Sequence, residues 1–210
     1  LPDIKSILSY LTGKHQTLLF SATMNKGVLD VVRKFQNDPV RIEIGYRNEP
    51  TENVKQSFLT AGERQKSKAV QHLIKQSSPR LSLVFCNTRR RVKNLKKQLF
   101  EQGMSVCCLH GDMSQSQRDA TMQTFRNGKT TILVATDVAA RGIDVKDIDL
   151  VINYDIPDKM EYYVHRIGRT GRAGHTGRAC TLVSPQDQYR IADIERRFRV
   201  TLTEEQAQSC

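Results

Sequence analysis

The sequence contains no long uncharged apolar stretch, which excludes a membrane-spanning helix. The opening LPDIKSILSY carries no signal-peptide pattern, and Leu1 in first position predicts a fragment or a processed product. Cysteine is scarce, five residues in 210, with no CxxC pair and no Cys/His spacing of a zinc site. Cys86, Cys107, Cys108 and Cys180 lie in apolar, strand-like runs. They read as free buried thiols in a reducing, intracellular compartment, cytoplasmic or nuclear. No internal repeat or low-complexity tract occurs. Aromatic residues are only 6%, with no tryptophan. The Tyr162-Tyr163 pair reads as core packing rather than as a base-stacking platform, and Phe85 and Phe125 read as core.

What is present fits one globular domain, or one domain plus a piece of another: 210 residues, 38% hydrophobic and 26% charged. Such a chain buries a core without disulfide or metal staples. Recurring apolar runs exclude general disorder. The 33 Lys and Arg outweigh 22 Asp and Glu, and the net charge of +11 points to an anionic partner. Six of the cations, Arg89, Arg90, Arg91, Lys93, Lys96 and Lys97, fall between Asn87 and Phe100 without an acid. Their pattern is that of a solvated helix face. The Glu195–Arg199 tail reads as a solvated helix end.

Short apolar runs at 82–87, 105–111, 131–136, 149–156 and 179–184 show little polar alternation, as strands buried on both faces do. Amphipathic stretches at 62–76, 89–102, 115–127, 159–168 and 187–198 separate them. Repeated βα units predict an α/β fold, a parallel sheet with helices on both faces. Residues 1–45 read as their own unit: helices at 2–12 and 26–36, strands at 16–22 and 40–44. A Gly/Asn/Pro-containing linker covers 46–53, and the main domain runs from 54 to 210. In a parallel sheet, ligands gather beyond the carboxyl ends of the strands. The tails Asn87-Thr88-Arg89, His110-Gly111-Asp112 and Thr136-Asp137 are expected to share that rim.

Two stretches carry the chemistry. His165-Arg166-Ile167-Gly168-Arg169-Thr170-Gly171-Arg172 interleaves three arginines and a histidine with two glycines. Glycine permits tight turns and close approach. The guanidinium gives a permanent charge and a planar fork that matches phosphate oxygens. The second stretch, ATDVAARGID at 135–144, follows a buried strand directly and places a hydroxyl and carboxylates at its end. Taken singly, these carboxylates also suit a helix cap or turn.

Together, ATDVAARGID and HRIGRTGRAG resemble the DEAD-box family of superfamily 2 RNA helicases. Ser21-Ala22-Thr23 is similar to the SAT motif that ends that family's first RecA-like domain, and VFCNTR at 84–89 to its motif IV. Gln115-Ser116-Gln117-Arg118 is similar to its QxxR motif. The resemblance implies a RecA-like fold, with residues 1–45 ending the first such domain and 54–210 forming the second. It implies that Arg169 and Arg172 are arginine fingers reaching ATP held mainly by the other domain, with His165 contacting the SAT and DEAD motifs. Gly142 and Asp144 match nucleotide-side positions, and Arg166 a supporting structural one. Thr88, Gly111, Gln115, Arg118, Thr136 and Arg141 match positions facing the RNA backbone, and Ser21 and Thr23 interdomain coupling positions. Contacts of that kind carry little sequence information.

The implied function is ATP hydrolysis coupled to local unwinding or remodelling of RNA, with protein cofactors as further partners. The chain has no GxxxxGK[ST] phosphate loop, no Asp-Glu-Ala-Asp sequence and no adenine-reading segment. The fragment alone is therefore expected to lack ATPase activity, with Mg2+ held by the missing first-domain motifs. The competing expectations are a non-catalytic RNA- or protein-binding module and a DNA helicase or translocase of the same superfamily.

Overall fold

The computed structural model describes residues 2–11, 13–21, 24, 26–43, 53–140, 145, 148–172 and 174–206. The chain divides into two compact units, Leu1–Arg47 and Asn48–Cys210.

In the first unit, helices α1 (Pro2–Ser9) and α2 (Lys26–Phe35) form where the apolar spacing predicts them. The expected strands do not: the described residues 16–21 and 40–43 carry no strand. Phe20, Val40 and Ile42 are exposed, and α2 buries no residue. An extended segment becomes a strand only by pairing its backbone polar groups with a neighbour, and a lone pair of apolar segments does not supply a sheet.

The second unit is one seven-stranded, all-parallel sheet. In chain order its elements are β1 (Val54–Thr60), α3 (Lys66–Ser77), β2 (Ser82–Phe85), α4 (Arg89–Glu101), β3 (Val106–Leu109), α5 (Gln115–Arg126) and β4 (Ile132–Ala135). There follow β5 (Leu150–Asn153), α6 (Glu161–Ile167), β6 (Gly177–Val183), α7 (Tyr189–Phe198) and β7 (Thr203–Glu205). The strand order is β3-β4-β2-β5-β6-β1-β7. This is the parallel α/β arrangement that the alternating pattern predicts, and the RecA-like one that the resemblance implies.

Successive residues of one strand feed opposite cores, as the pleat requires. Leu83 and Phe85 pack under α5, α6 and α7 with Phe125, Tyr163, Ile194 and Phe198. Val84 and Cys86 pack under α3 and α4 with Val70, Leu73, Val92 and Leu95. Helix starts are fixed locally. Thr88 caps α4 by accepting from Arg91 N–H, and Ser114 with Gln117 closes a capping box on α5.

Three details differ from the pattern reading. Cys107 and Cys108 are only half-buried, because β3 is an edge strand. The Glu195–Arg199 tail is not solvated throughout: Phe198 is buried and its ring stacks on Tyr163 at 5.5 Å. β7 carries no apolar alternation and was not foreseen. Side chains hold it: Thr60 Oγ1 donates to Glu204 at 3.2 Å, and Arg178 pairs with Glu205 at 2.6 Å.

Phe125→Ala removes a fully buried ring from the α5 side of the sheet. The expected loss is about 3–5 kcal/mol. It is read as a lower urea midpoint at unchanged slope.

Candidate functional site

The carboxyl ends of β2, β3, β4 and β5 form the expected rim, and a buried arginine ties three of them together. Arg166, on α6, is 1% exposed. Its Nε donates to Asp137 at 2.6 Å and its Nη2 to the same carboxylate at 2.7 Å. Nη2 also donates to the Asn87 side-chain oxygen at 2.8 Å. Nη1 donates to the Asp155 carbonyl at 2.6 Å and to Asn153 Oδ1 at 3.4 Å. All five guanidinium N–H groups are thus used, and the plane lies 5.2 Å over the Phe85 ring.

The partners of Arg166 are themselves held. Asn87 donates its backbone N–H to Asp155 at 3.0 Å and its amide to the Ile156 carbonyl at 2.9 Å. The other Asp155 oxygen pairs with Arg91 at 2.6 Å. Arg91 pairs in turn with Glu63 at 2.7 Å, and Glu63 with the buried Lys66 at 2.6 Å. Burial raises the Glu63 carboxyl, but the bonds from Lys66 and Arg91 outweigh it and hold it below the usual carboxylate range. Arg91 and Lys66 also face the Tyr154 ring, whose phenol burial pushes up to about 12. Sequence reasoning did not connect this cluster. Its members are spread from Glu63 to Arg166, and only the topology joins them.

The candidate backbone-facing residues sit around this core. Thr88 caps α4 beside Asn87, and Thr136 precedes Asp137. Thr136 is buried and its hydroxyl accepts from Ala139 N–H at 3.4 Å. Arg118 donates to the Ala139 carbonyl at 3.0 Å, fixing the turn after β4 to α5. Gln115 and Gly111 are exposed, and Gln115 donates to Asp119 at 2.9 Å. Asp112 pairs with Arg89 and, at 3.1 Å, with Lys93. The starts of α4 and α5 therefore point their free N–H groups at one edge, as anion-binding sites do.

His110 is buried on the same rim, and its Nδ1 has no hydrogen-bond partner among the described residues. Burial lowers its pKa, Lys93 lowers it further, Asp112 opposes, and Arg89 adds to the lowering.

Most of the arginine loop lies away from the rim, but Arg169 also lines a cleft with Phe85, Asp137, His165 and Arg166. Thr170 and Gly171 pack against the amino ends of β1, β5 and β6. Gly177 N–H donates to the Asn53 carbonyl at 2.8 Å, and the buried Thr170 hydroxyl donates to the Ile148 carbonyl. Gly171 has φ +69°, and a Cβ there would come within 2.6 Å of Val54. A Cβ on Gly177 would overlap the Thr170 hydroxyl. The loop thus has little freedom. Arg169 and Arg172 line a cavity of about 140 Å³ with Asp149, Thr170, His175 and Thr176. Arg172 is exposed, and its Nε donates to the Gly168 carbonyl at 2.7 Å. Arg169 is half-buried, and burial, then the neighbouring Arg172 charge, hold its pKa below the usual guanidinium range. His165 is half-buried with its ring 6.5 Å from that of Tyr162.

Ser21 is exposed in the first unit. Thr23, Arg141, Gly142 and Asp144 lie outside the described residues. Among the described residues, no group of His, Cys, Asp and Glu could hold a metal ion.

Cationic side chains thus stand both along the rim and on the arginine loop. The model of the helicase conserved C-terminal domain matches residues 65–174. The DEAD-box ATP-dependent RNA helicase CshA of Bacillus subtilis is 41% identical over 194 residues, which are 92% of this chain and 39% of that protein. A probable eukaryotic initiation factor 4A of Trypanosoma cruzi is 40% identical over 202 residues, 96% of this chain and 50% of that protein. Among solved structures, S. cerevisiae Dbp5 bound to RNA and ADP BeF3 superposes with a TM-score of 0.87 at 29% identity, covering 97% of this chain and 55% of that one. E. coli SrmB bound to the regulator of ribonuclease activity RraA gives 0.69 at 36% identity, covering 73% of this chain and 91% of that one. The chain belongs to the helicase conserved C-terminal domain family, in its DEAD-box RNA helicase branch. It spans between about two fifths and half of the length of these curated relatives.

Two outcomes follow from the site's electrostatics. Arg166→Met strands the Asp137 carboxylate and leaves Asn87 and the Asp155 carbonyl without their donor, so unfolding stability falls by about 3–5 kcal/mol. Arg166→Lys recovers little of it, since an ammonium cannot reproduce the fork. For His110, the folded-state pKa is depressed, so the unfolded chain takes up the proton first as pH falls through the ordinary imidazole range. Stability drops with pH across that window, and urea titrations of His110→Gln show a shallower drop.

Proposed function

We propose that this chain is the RNA-gripping and phosphate-sensing part of an ATP-dependent RNA helicase. The observation that carries the reading is the braced arginine loop: two guanidiniums on one cavity, on a turn fixed by Gly171, Gly177 and the buried Thr170. In phosphoryl transfer, charge compensation aimed at the transferring group is the main demand, and rigid donors need no reorganisation when the charge develops. Arg169 and Arg172 are the fingers. ATP is gripped mainly by another domain of the parent, whose motifs also hold Mg2+. Residues 1–45 are the end of that domain, 46–53 the linker and 54–210 the second domain.

RNA lies along the rim, with Thr88, Gly111, Gln115, Arg118, Thr136 and Arg141 on its phosphates and sugars. The reading is supported by the two exposed helix starts and by the helicase relatives, one of them bound to RNA. Gly142 and Asp144 serve the nucleotide side, and Ser21, Thr23 and His165 the coupling between domains. Closure that needs both ligands makes hydrolysis depend on RNA and gives local strand separation or remodelling. Protein partners add control, as the complex of SrmB with RraA illustrates for that relative. The free thiols Cys86, Cys107, Cys108 and Cys180 favour a reducing intracellular compartment.

The test is RNA-stimulated ATP hydrolysis by the parent protein, comparing wild type with Arg172→Ala. The expected fall is about a thousandfold, with nucleotide-free RNA binding kept. Unchanged turnover would reduce the loop to a basic surface and bring the non-catalytic binding module forward. The 210-residue chain alone is expected to show no turnover.

A further inference from the structure

The two helical layers of the second unit carry very different charge. On one sheet face, α3 and α4 bear nine Lys or Arg against the single acid Glu101. On the other, α5, α6 and α7 bear six against four. Fold stability gives no reason for such an imbalance, since like charges on adjacent helices repel. Some of the nine are occupied. Lys66 and Arg91 are tied to Glu63, Arg89 and Lys93 to Asp112, and Lys97 lies 3.8 Å from Glu101. Lys68, Lys75 and Arg90 are exposed and form no ion pair among the described residues.

This face is continuous with the rim. Thr88 at the head of α4 is a rim residue, and Glu63 just before α3 bonds to Arg91 in the first turn of α4. From that end α4 runs about 20 Å along the outside of the sheet. At its far end Phe100 is 65% exposed, with the Lys96 ammonium 5.0 Å from its ring centre. A cationic track that ends on an exposed aromatic ring matches the needs of a single strand: charge for phosphates and a flat surface for a base.

We infer that the α3–α4 face is a second RNA-binding surface, which holds the stretch of strand leaving the rim. The inference rests on the rim being an RNA site and adds a path beyond it. A strand long enough to leave the rim then binds more tightly than one that only fills it. The excess depends on cations that lie outside every motif read from the sequence.

The test uses the 210-residue chain and two oligouridylates, a hexamer and a strand about three times as long, in fluorescence anisotropy over a salt series. Lys68→Gln with Lys97→Gln changes only exposed side chains, and unaltered thermal unfolding checks the fold. The expected result is hexamer affinity unchanged, affinity for the long strand down roughly tenfold, and its log–log salt slope shallower by about 1.4. Phe100→Ala weakens the long strand alone, with the salt slope kept. The proposal is overturned if wild type holds both strands equally, or if the double variant keeps the long-strand advantage. It is also overturned if polyglutamate of matched charge displaces the long strand at lower concentration than RNA does, since the face then suits an acidic protein segment. Failure of the rim reading looks different: the hexamer does not bind, while the long strand binds and loses its affinity in the double variant.

Discussion

The second unit is organised around one buried guanidinium. Removing Arg166 from water is costly, and it is tolerated only because every donor finds an acceptor and one carboxylate takes two of them. Replacing such a group by a hydrocarbon of the same shape often costs little when both partners go together. Its worth here is therefore positional. A planar fork fixes the relative placement of Asn87 after β2, Asp137 after β4 and Asp155 after β5 within tenths of an ångström. An apolar contact would allow them to slide.

The positions it fixes are those that flank Thr88 and Thr136, while three residues further along the chain stands Arg169. The rim lies at the carboxyl edge of the sheet and the arginine loop at the amino edge. A single short helix, α6, spans the distance between them, and its side chains lean back toward its own start. Arg166 thus reaches the rim from the end of the helix that carries the loop. Asn87 and Asp137 on the rim are thus bonded to the helix that leads into the loop.

Much of this was legible. Runs such as SLVF and ILVA announce strands buried on both faces, and their tails announce the rim. The arginine loop's glycines announce a tight approach, which Val54 and Thr170 enforce. What was not legible depends on pairing at a distance. Lys66 looks like any surface lysine until Glu63, Tyr154 and Arg91 close over it. The TEE of β7 looks like a polar tail until Thr60 and Arg178 bind its glutamates. The apolar segments of the first unit fail in the opposite sense: QTLLFSA has strand chemistry, but its described residues form no strand. The sequence also suggested one rim for all ligands. The connection order puts the loop before β6 rather than after a strand, so it falls at the other edge.

The arginine pair shows why rigidity belongs at that edge. Arg169 is half-buried beside Arg172, and its charge is disfavoured by burial and by its neighbour. The two guanidiniums share one small cavity with Asp149, and a flexible loop would let them separate. Here Gly171 stands in a backbone conformation that a side chain would strain, Thr170 is buried, and Arg172 is hooked to the Gly168 carbonyl. The turn's own contacts therefore hold both guanidiniums on one cavity.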